Sequence, residues 1–147
     1  MTRNTETATQ ANKLAWNASA HLHRRSEEWQ RQLLGFADPS FSTFDSIVTA
    51  ALTSNGVTGA QAVQIGCNNG RETLSMLALG AVQATGIDQS DAFIAQAEEL
   101  RAESPHGGKA RFVCANVYEL PAELSGQFDL ALITIGVLNW MPDLTQF

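Results

Sequence analysis

The sequence contains few cysteines and no long apolar segment. Cys67 and Cys114 are the only cysteines, and neither lies in a CxxC pair or near a histidine at metal-ligand spacing, so we expect two free thiols and no metal site. No apolar run reaches the roughly eighteen residues of a transmembrane helix. The polar opening, residues 1–13, lacks the apolar centre of a signal peptide. A cytoplasmic protein is therefore expected.

Basic residues are also scarce. Nine Lys and Arg stand against fifteen Asp and Glu, which gives a formal net charge of -6 and a pI near 4.9. This charge balance disfavours a nucleic-acid partner, because such a partner needs a basic surface for its phosphates. With 147 residues, 44% of them hydrophobic, the chain predicts one domain with its own core.

The N-terminal region is predicted to be helical after a short tail. Residues 1–11 carry almost no apolar side chains and predict a disordered tail. From residue 12 the apolar residues recur at helical spacing, which predicts two short helices over 12–34 and a third over 44–53. The Asn55-Gly56 pair is a helix-ending signal, so the N-terminal helices occupy 12–56.

From residue 60 onward, short apolar runs alternate with helical segments, which is the pattern of βαβ units. The predicted strands are 62–65, 82–87, 111–115 and 128–135, and the helices between them are 72–79 and 91–103. Runs this apolar predict a parallel sheet covered on both faces. The fold class is therefore α/β: a Rossmann-like, doubly wound parallel sheet over 60–147, preceded by N-terminal helices in a single domain, 12–147.

A turn of small residues follows the first predicted strand. Gly66 and Gly70 can adopt backbone angles forbidden to other residues, and the next helix offers free N–H groups and the positive end of its dipole. This predicts a site for a nucleoside-type cofactor. Asn68 and Arg71 stand where the dinucleotide fingerprint requires glycine, which disfavours an NAD enzyme. The alternative is a tight turn in a domain that binds nothing.

Polar side chains also end the later strands. Asp88, with Gln89 beside it, ends the second strand about 20 residues after the glycine loop, where a carboxylate accepts hydrogen bonds from both ribose hydroxyls. The alternative is that Asp88 only caps the following helix. Asn116 is suited to an adenine edge with Val117 over the ring, or else forms an Asx turn. Thr134 follows the fourth strand and should border the site.

These elements, in this order and spacing, resemble class I S-adenosylmethionine-dependent methyltransferases. The likeness is closest to a bacterial-type subgroup with a CNNGRETLSL-like glycine loop, a TGID-like acid motif and a GVLxWxPDL segment; it covers residues 60–144 and, more loosely, 16–29. The resemblance implies S-adenosylmethionine as cofactor, with Gly66, Asn68 and Gly70 beside its methionine part. It implies Asp88 at the ribose, and Asn116 and Val117 at the adenine.

Two positions depart from the family pattern. Gln64 stands where many relatives have an acid that binds the cofactor's amino group, and Asn116 stands where aspartate is frequent. Both keep an acceptor oxygen. In relatives, segments before the first strand often close over the cofactor, so Trp16, His21 and Trp29 either line the pocket or pack on the sheet. We expect His23, Arg24 and Arg25 on a solvated face.

The implied reaction is direct methyl transfer to a small-molecule acceptor, with catalysis by positioning. Class I enzymes have further strands after the fourth, so the resemblance implies a truncated chain: a fragment, a truncated gene product or one piece of a split protein. The fourth strand would be an apolar edge, for which we expect an oligomer or a complementing chain. The alternative function is a non-catalytic binding or interaction module with the same fold.

Overall fold

The computed structural model describes residues 2–147. Within that range the chain forms four strands: β1 Gln61–Ile65, β2 Gln83–Asp88, β3 Ala110–Cys114 and β4 Leu130–Ile133. Over the same residues it forms five α-helices: α1 Arg3–Arg24, α2 Glu27–Gly35, α3 Ser46–Ser54, α4 Arg71–Ala78 and α5 Asp91–Glu103. Short 3-10 turns occupy Gly107–Lys109, Val117–Glu119, Ala122–Leu124 and Val137–Trp140. The predicted order of strands and helices is confirmed.

The four strands form one parallel sheet in the order β3-β2-β1-β4. Val63 of β1 is level with Thr85 of β2 on one side and with Ala131 of β4 on the other. The chain therefore builds outward from β1 to β3 and then returns to the opposite side of β1. The carboxyl ends of β1 and β4 mark this reversal, which is where open α/β sheets bind ligands.

The two faces of the sheet are covered unequally. Alternate residues of β1, such as Ala62, pack in the main core with side chains from α2, α3, α4 and α5. Val63, on the opposite face, belongs to a smaller cluster with Ile87 and Leu124. The expectation of full cover on both faces is therefore wrong near β4, where Ile133 is 41% exposed, because the segment joining β3 to β4 forms only 3-10 turns.

Helix α1 begins at Arg3, so the predicted disordered tail is wrong for residues 3–11. The Thr2 hydroxyl caps the helix by accepting a hydrogen bond from the Thr5 amide. Thr7 and Thr9 each donate a hydroxyl hydrogen bond to the carbonyl four residues earlier. A capped segment that continues into a docked helix becomes helical at little cost in free energy, because only the first turn of a helix is unfavourable to form. Met1, the first residue of that tail, lies outside the described range.

Helix α1 lies along α5 and is held there largely by polar contacts. The Asn17 amide donates to Asp91 and accepts from the Ser90 hydroxyl. Lys13 pairs with the same Asp91 carboxylate at 3.1 Å. The Ala20 carbonyl accepts a hydrogen bond from the buried Gln96 amide at 2.7 Å. These contacts fix α1 beside the carboxyl ends of the strands.

Candidate cofactor site

A cavity of about 710 Å³ lies at the carboxyl ends of the strands. This volume is within the range of about 300–1,000 Å³ typical of small-molecule sites. The loops after all four strands contribute to its walls, together with residues of α1 and α2 and of the first turns of α4 and α5. Seven of the nine predicted cofactor residues line it: Gly66, Asn68, Asp88, Gln89, Asn116, Val117 and Thr134. The structure therefore brings most of the predicted residues together.

The glycine loop takes its shape from positive φ angles and from hydrogen bonds to β2. Gly66 and Gly70 have φ of 70° and 79°, and Asn68 has φ of 49°; asparagine tolerates this left-handed region better than most residues do. The backbone N–H groups of Gly66 and Cys67 both donate to the Ile87 carbonyl, at 2.8 and 3.0 Å. The loop is therefore a fixed turn anchored to the end of β2.

Asp88 joins this loop to the start of α5. One carboxylate oxygen accepts a hydrogen bond from the backbone N–H of Asn68 at 2.8 Å, and the other accepts one from the backbone N–H of Ser90 at 2.9 Å. Helix α5 itself is capped by the Ser90 hydroxyl, which accepts from the Phe93 amide; Asp88 is therefore not its N-cap. A carboxylate has about four acceptor positions, so acceptor capacity remains for a ligand at the cavity wall.

Burial raises the pKa of Asp88 above the ordinary aspartate value of 3.8, although three backbone N–H groups oppose this by stabilising the charged form. Burial also raises the pKa of the Cys67 thiol well above its ordinary value, and the nearby Asp88 charge adds to the effect. Cys67 is therefore a packed, protonated thiol in the loop rather than a nucleophile. Cys67 and Cys114 are both free, as predicted.

Asn116 forms an Asx turn and also lines the cavity. Its side-chain oxygen accepts a hydrogen bond from the Tyr118 amide at 3.2 Å, which is the structural alternative expected from the sequence. Asn116 and Val117 nevertheless both face the cavity. A role for this pair at an adenine ring stays a prediction.

Gln64 and Gly70 do not line the cavity. Gln64 is buried, and its amide donates to Glu72 and accepts from the Thr73 hydroxyl at 2.6 Å. Its side chain therefore secures the first turn of α4 under the loop. Gly70 is required by packing, because a Cβ at this position would lie 2.5 Å from the Phe112 ring.

The N-terminal helices contribute several cavity residues, and the sequence predicts only some of them. Trp16 and Trp29 line the cavity, and Trp29 also packs in the main core. His21 does not line it, whereas His23 does; His23, Arg24 and Arg25 are all exposed, as predicted. Trp16 and His23 are seven residues apart, which places both on one side of a helix. This spacing is the sequence feature that indicates a shared position for the two side chains.

A buried hydrogen bond connects α2 to the glycine loop. The Asn69 side-chain amide donates to the Gln32 side-chain oxygen at 2.8 Å, and both side chains are buried. Gln32 in turn donates to Glu28 at 2.9 Å. All three residues line the cavity. Sequence patterns gave no signal for this link, because it joins residues from distant parts of the chain.

No group of three or more His, Cys, Asp or Glu side chains within residues 2–147 is placed to hold a metal ion. No helix in the described part of the chain is long and apolar enough to cross a membrane.

Known proteins resemble this chain in both sequence and fold. Residues 62–147, more than half of the chain, match the family model of the methyltransferase domain. The sequence matches none of the curated proteins.

Three solved structures illustrate the likeness in fold. Magnesium protoporphyrin IX methyltransferase from Synechocystis PCC 6803 with bound S-adenosylmethionine superposes with a TM-score of 0.65 at 19% identity, over 92% of this chain and 64% of that one. A proposed S-adenosyl-L-methionine-dependent methyltransferase from Methanococcus maripaludis gives 0.67 at 17% identity, over 88% and 54%. YjhP from E. coli gives 0.53 at 19% identity, over 79% and 48%.

The chain thus spans less than two thirds of the length of each of these structures. Its sheet order and its N-terminal helices correspond to the N-terminal portion of their common fold. On the family match and this fold, the chain belongs to the methyltransferase domain family, with the Rossmann-like architecture of the class I S-adenosylmethionine-dependent enzymes.

Proposed function

We propose that this chain binds S-adenosylmethionine in the cavity and acts in methyl transfer to a small-molecule acceptor. The observation that carries the proposal is the Asp88 carboxylate, which anchors the glycine loop and keeps acceptor positions at the cavity wall. A methyltransferase family match and a fold neighbour crystallised with S-adenosylmethionine support it. The net charge of -6 favours a small acceptor over a nucleic acid.

The residues present fit the cofactor. Gly66 lines the cavity and has a positive φ angle, and the Val137 side chain packs 2.8 Å from where a Cβ of residue 66 would lie. Asp88 would hold the ribose hydroxyls, with Gln89 beside it, and Asn116 and Val117 would hold the adenine. Gln64 is assigned a positioning role instead, since both ends of its amide bond to α4.

The chemistry that the cofactor supplies is an electrophilic methyl group on a sulfonium. The protein's contribution is to position the acceptor and to exclude water, since fixed geometry removes much of the entropic barrier of a two-body reaction. Thr134 and Val137, at the end of β4, border the same cavity as the glycine loop. The segment that follows β4 is therefore expected to border the methyl-transfer site.

Calorimetric titration of the 147-residue chain with S-adenosylhomocysteine tests the cofactor site. We expect binding by the wild type, strong weakening in Asp88→Ala and Asp88→Asn, and no change in Glu103→Ala, which removes an exposed carboxylate at the end of α5. Circular dichroism of each variant establishes that it is folded. A folded wild type that does not bind, or an Asp88 variant that binds as well as the wild type, would contradict the proposal.

The exposed edge of β4 favours a second candidate, a non-catalytic module that assembles with another chain. Ile133 is 41% exposed and Ile135 is fully exposed, and no strand within residues 2–147 pairs with the outer edge of β4. An apolar strand edge of this kind is a template for pairing with another strand. Light scattering of the purified chain tests the assembly: a monomer at all concentrations contradicts it, and an oligomer without cofactor binding favours the module.

A further inference from the structure

Four aromatic rings form a continuous row along one wall of the cavity. Trp140 meets Trp16 at a ring-centroid distance of 5.2 Å, and Trp16 meets Phe93 at 6.0 Å. Phe93 meets His23 at 5.0 Å with an interplanar angle of 82°. All four side chains line the cavity. We call these four residues the aromatic row; none of them is among the residues assigned to the cofactor.

The aromatic row contains one titratable side chain, and that side chain has no polar partner. The carboxylates of Glu28, Glu72 and Asp88, which also line the cavity, all accept hydrogen bonds from protein groups. Neither ring nitrogen of His23 makes a hydrogen bond to any of residues 2–147, and the side chain is exposed, so both nitrogens are open to solvent and to a ligand in the cavity. The edge-to-face contact with Phe93 holds the imidazole at the cavity wall.

The size of the aromatic row restricts what can occupy it. Trp16 and His23 are seven residues apart on α1, which separates them by roughly 10 Å along the helix. A bicyclic planar ring system can contact the Trp16 ring and still bring a substituent to the His23 nitrogen. Aromatic walls favour a planar ring, which packs against them in offset-stacked or edge-to-face geometry. A hydroxyl group suits either imidazole nitrogen, because it can donate a hydrogen bond to an acceptor nitrogen and accept one from an N–H group.

We propose that the aromatic row is an acceptor subsite for a bicyclic aryl alcohol, with the ring against Trp16 and Trp140 and the hydroxyl donating a hydrogen bond to His23. The assignment rests on the proposed function and extends it by naming the substrate class. His23 is then a specificity-determining residue, because a site built to bind a hydroxyl discriminates against an analogue that lacks it.

Two small aromatic probes test the subsite: 6-hydroxyquinoline, and quinoline, which has the same ring system without the hydroxyl group. Each is titrated into the chain by calorimetry, with and without saturating S-adenosylhomocysteine. We expect 6-hydroxyquinoline to bind the wild type more tightly than quinoline and to shift the imidazole resonances of His23 in NMR spectra. Quinoline should leave the His23 resonances nearly unchanged, because it donates no hydrogen bond.

Three variants assign the contacts. His23→Phe keeps the ring against Phe93 but removes the nitrogens, so it should weaken 6-hydroxyquinoline roughly fivefold, the typical value of one hydrogen bond, and leave quinoline unchanged. His21→Phe, on the same helix but outside the cavity, should change neither. Trp16→Leu should weaken both probes by removing the wall that both rings contact.

The outcomes separate this subsite from the cofactor site. Binding of the probes without binding of S-adenosylhomocysteine would support the subsite and contradict the proposed function. Binding of S-adenosylhomocysteine without binding of the probes would contradict the subsite alone. Equal effects of His23→Phe on the two probes would overturn the role of His23. Loss of S-adenosylhomocysteine binding in a folded Trp16→Leu variant would overturn the assignment, because the row would then be a wall of the cofactor site.

Discussion

Replacing Gly70 by alanine tests how tightly β3 packs against the glycine loop. Gly70 has φ of 79°, and a Cβ there would lie 2.5 Å from Phe112 Cζ and 2.9 Å from Ala97 Cβ. The Phe112 ring cannot simply swing aside, because a Cβ at Gly86 would also lie 2.7 Å from it. The ring thus occupies the space left by two glycines, and we expect Gly70→Ala to destabilise the fold in two separate ways.

The two contributions can be estimated and measured separately. The left-handed backbone costs a non-glycine residue about 1–2 kcal/mol, and inserting a methyl group into a packed core adds about 1–3 kcal/mol. Gly56 has nearly the same φ, 82°, but no heavy atom lies within 4 Å of a Cβ built there. Gly56→Ala should therefore show only the backbone cost, and the difference between the two variants isolates the collision with Phe112.

Urea unfolding monitored by circular dichroism measures both free energies, provided that the m-values of the variants are equal. We expect Gly70→Ala to lose at least about 1 kcal/mol more stability than Gly56→Ala. Equal losses in the two variants would refute the reasoning, because they would mean that the Phe112 ring yields to the new methyl group at no cost.

Three further predictions concern the loop and its contacts. Because burial raises the pKa of Asp88, affinity for S-adenosylhomocysteine should fall as the pH decreases through that raised value, since protonation removes acceptor positions for the ribose. Calorimetry at a series of pH values from neutral downward measures this affinity. A constant affinity down to pH 3.8 would contradict the prediction. Iodoacetamide should alkylate the exposed Cys114 before the buried Cys67, as followed by mass spectrometry of the intact and digested chain; equal rates would be incompatible with the buried loop. Asn69→Ala should cost about 1–3 kcal/mol in urea unfolding, because it leaves the buried Gln32 oxygen without its donor; no measurable loss would mean that another donor replaces it.

Much of the sheet could be predicted from the sequence because local pattern and tertiary role agree there. The strand ending at Ile65 is apolar, the next residues are small, and α4 begins directly after them, so the glycine loop follows from chemistry alone. Asp88 and Thr134 were placed at the correct edge, since parallel strands bring their carboxyl ends together. The family resemblance supplied the ligand, which the pattern of residues by itself left open.

The remainder depends on contacts between distant segments. Residues 3–11 lack apolar side chains, yet they are helical because a cap and a docked continuation support them. Gln64 occupies a position that suggests a ligand contact, but neighbouring Glu72 and Thr73 take both ends of its amide. His23 belongs to a polar stretch of sequence and becomes part of the cavity only because α1 lies along α5.

Because polar contacts attach α1 to α5, the docking of α1 affects the affinity of any ligand that binds at the aromatic row. Its ion pairs, Lys13 with Asp91 and Arg24 with Glu99, are solvent-exposed, and exposed pairs contribute little and weaken with salt. A ligand that contacts Trp16 binds only molecules in which α1 is docked, so its apparent dissociation constant equals the intrinsic one divided by the docked fraction. We therefore expect higher ionic strength to lower that fraction slightly, which would give uncharged aromatic ligands a small salt-dependent loss of affinity without any ionic contact of their own.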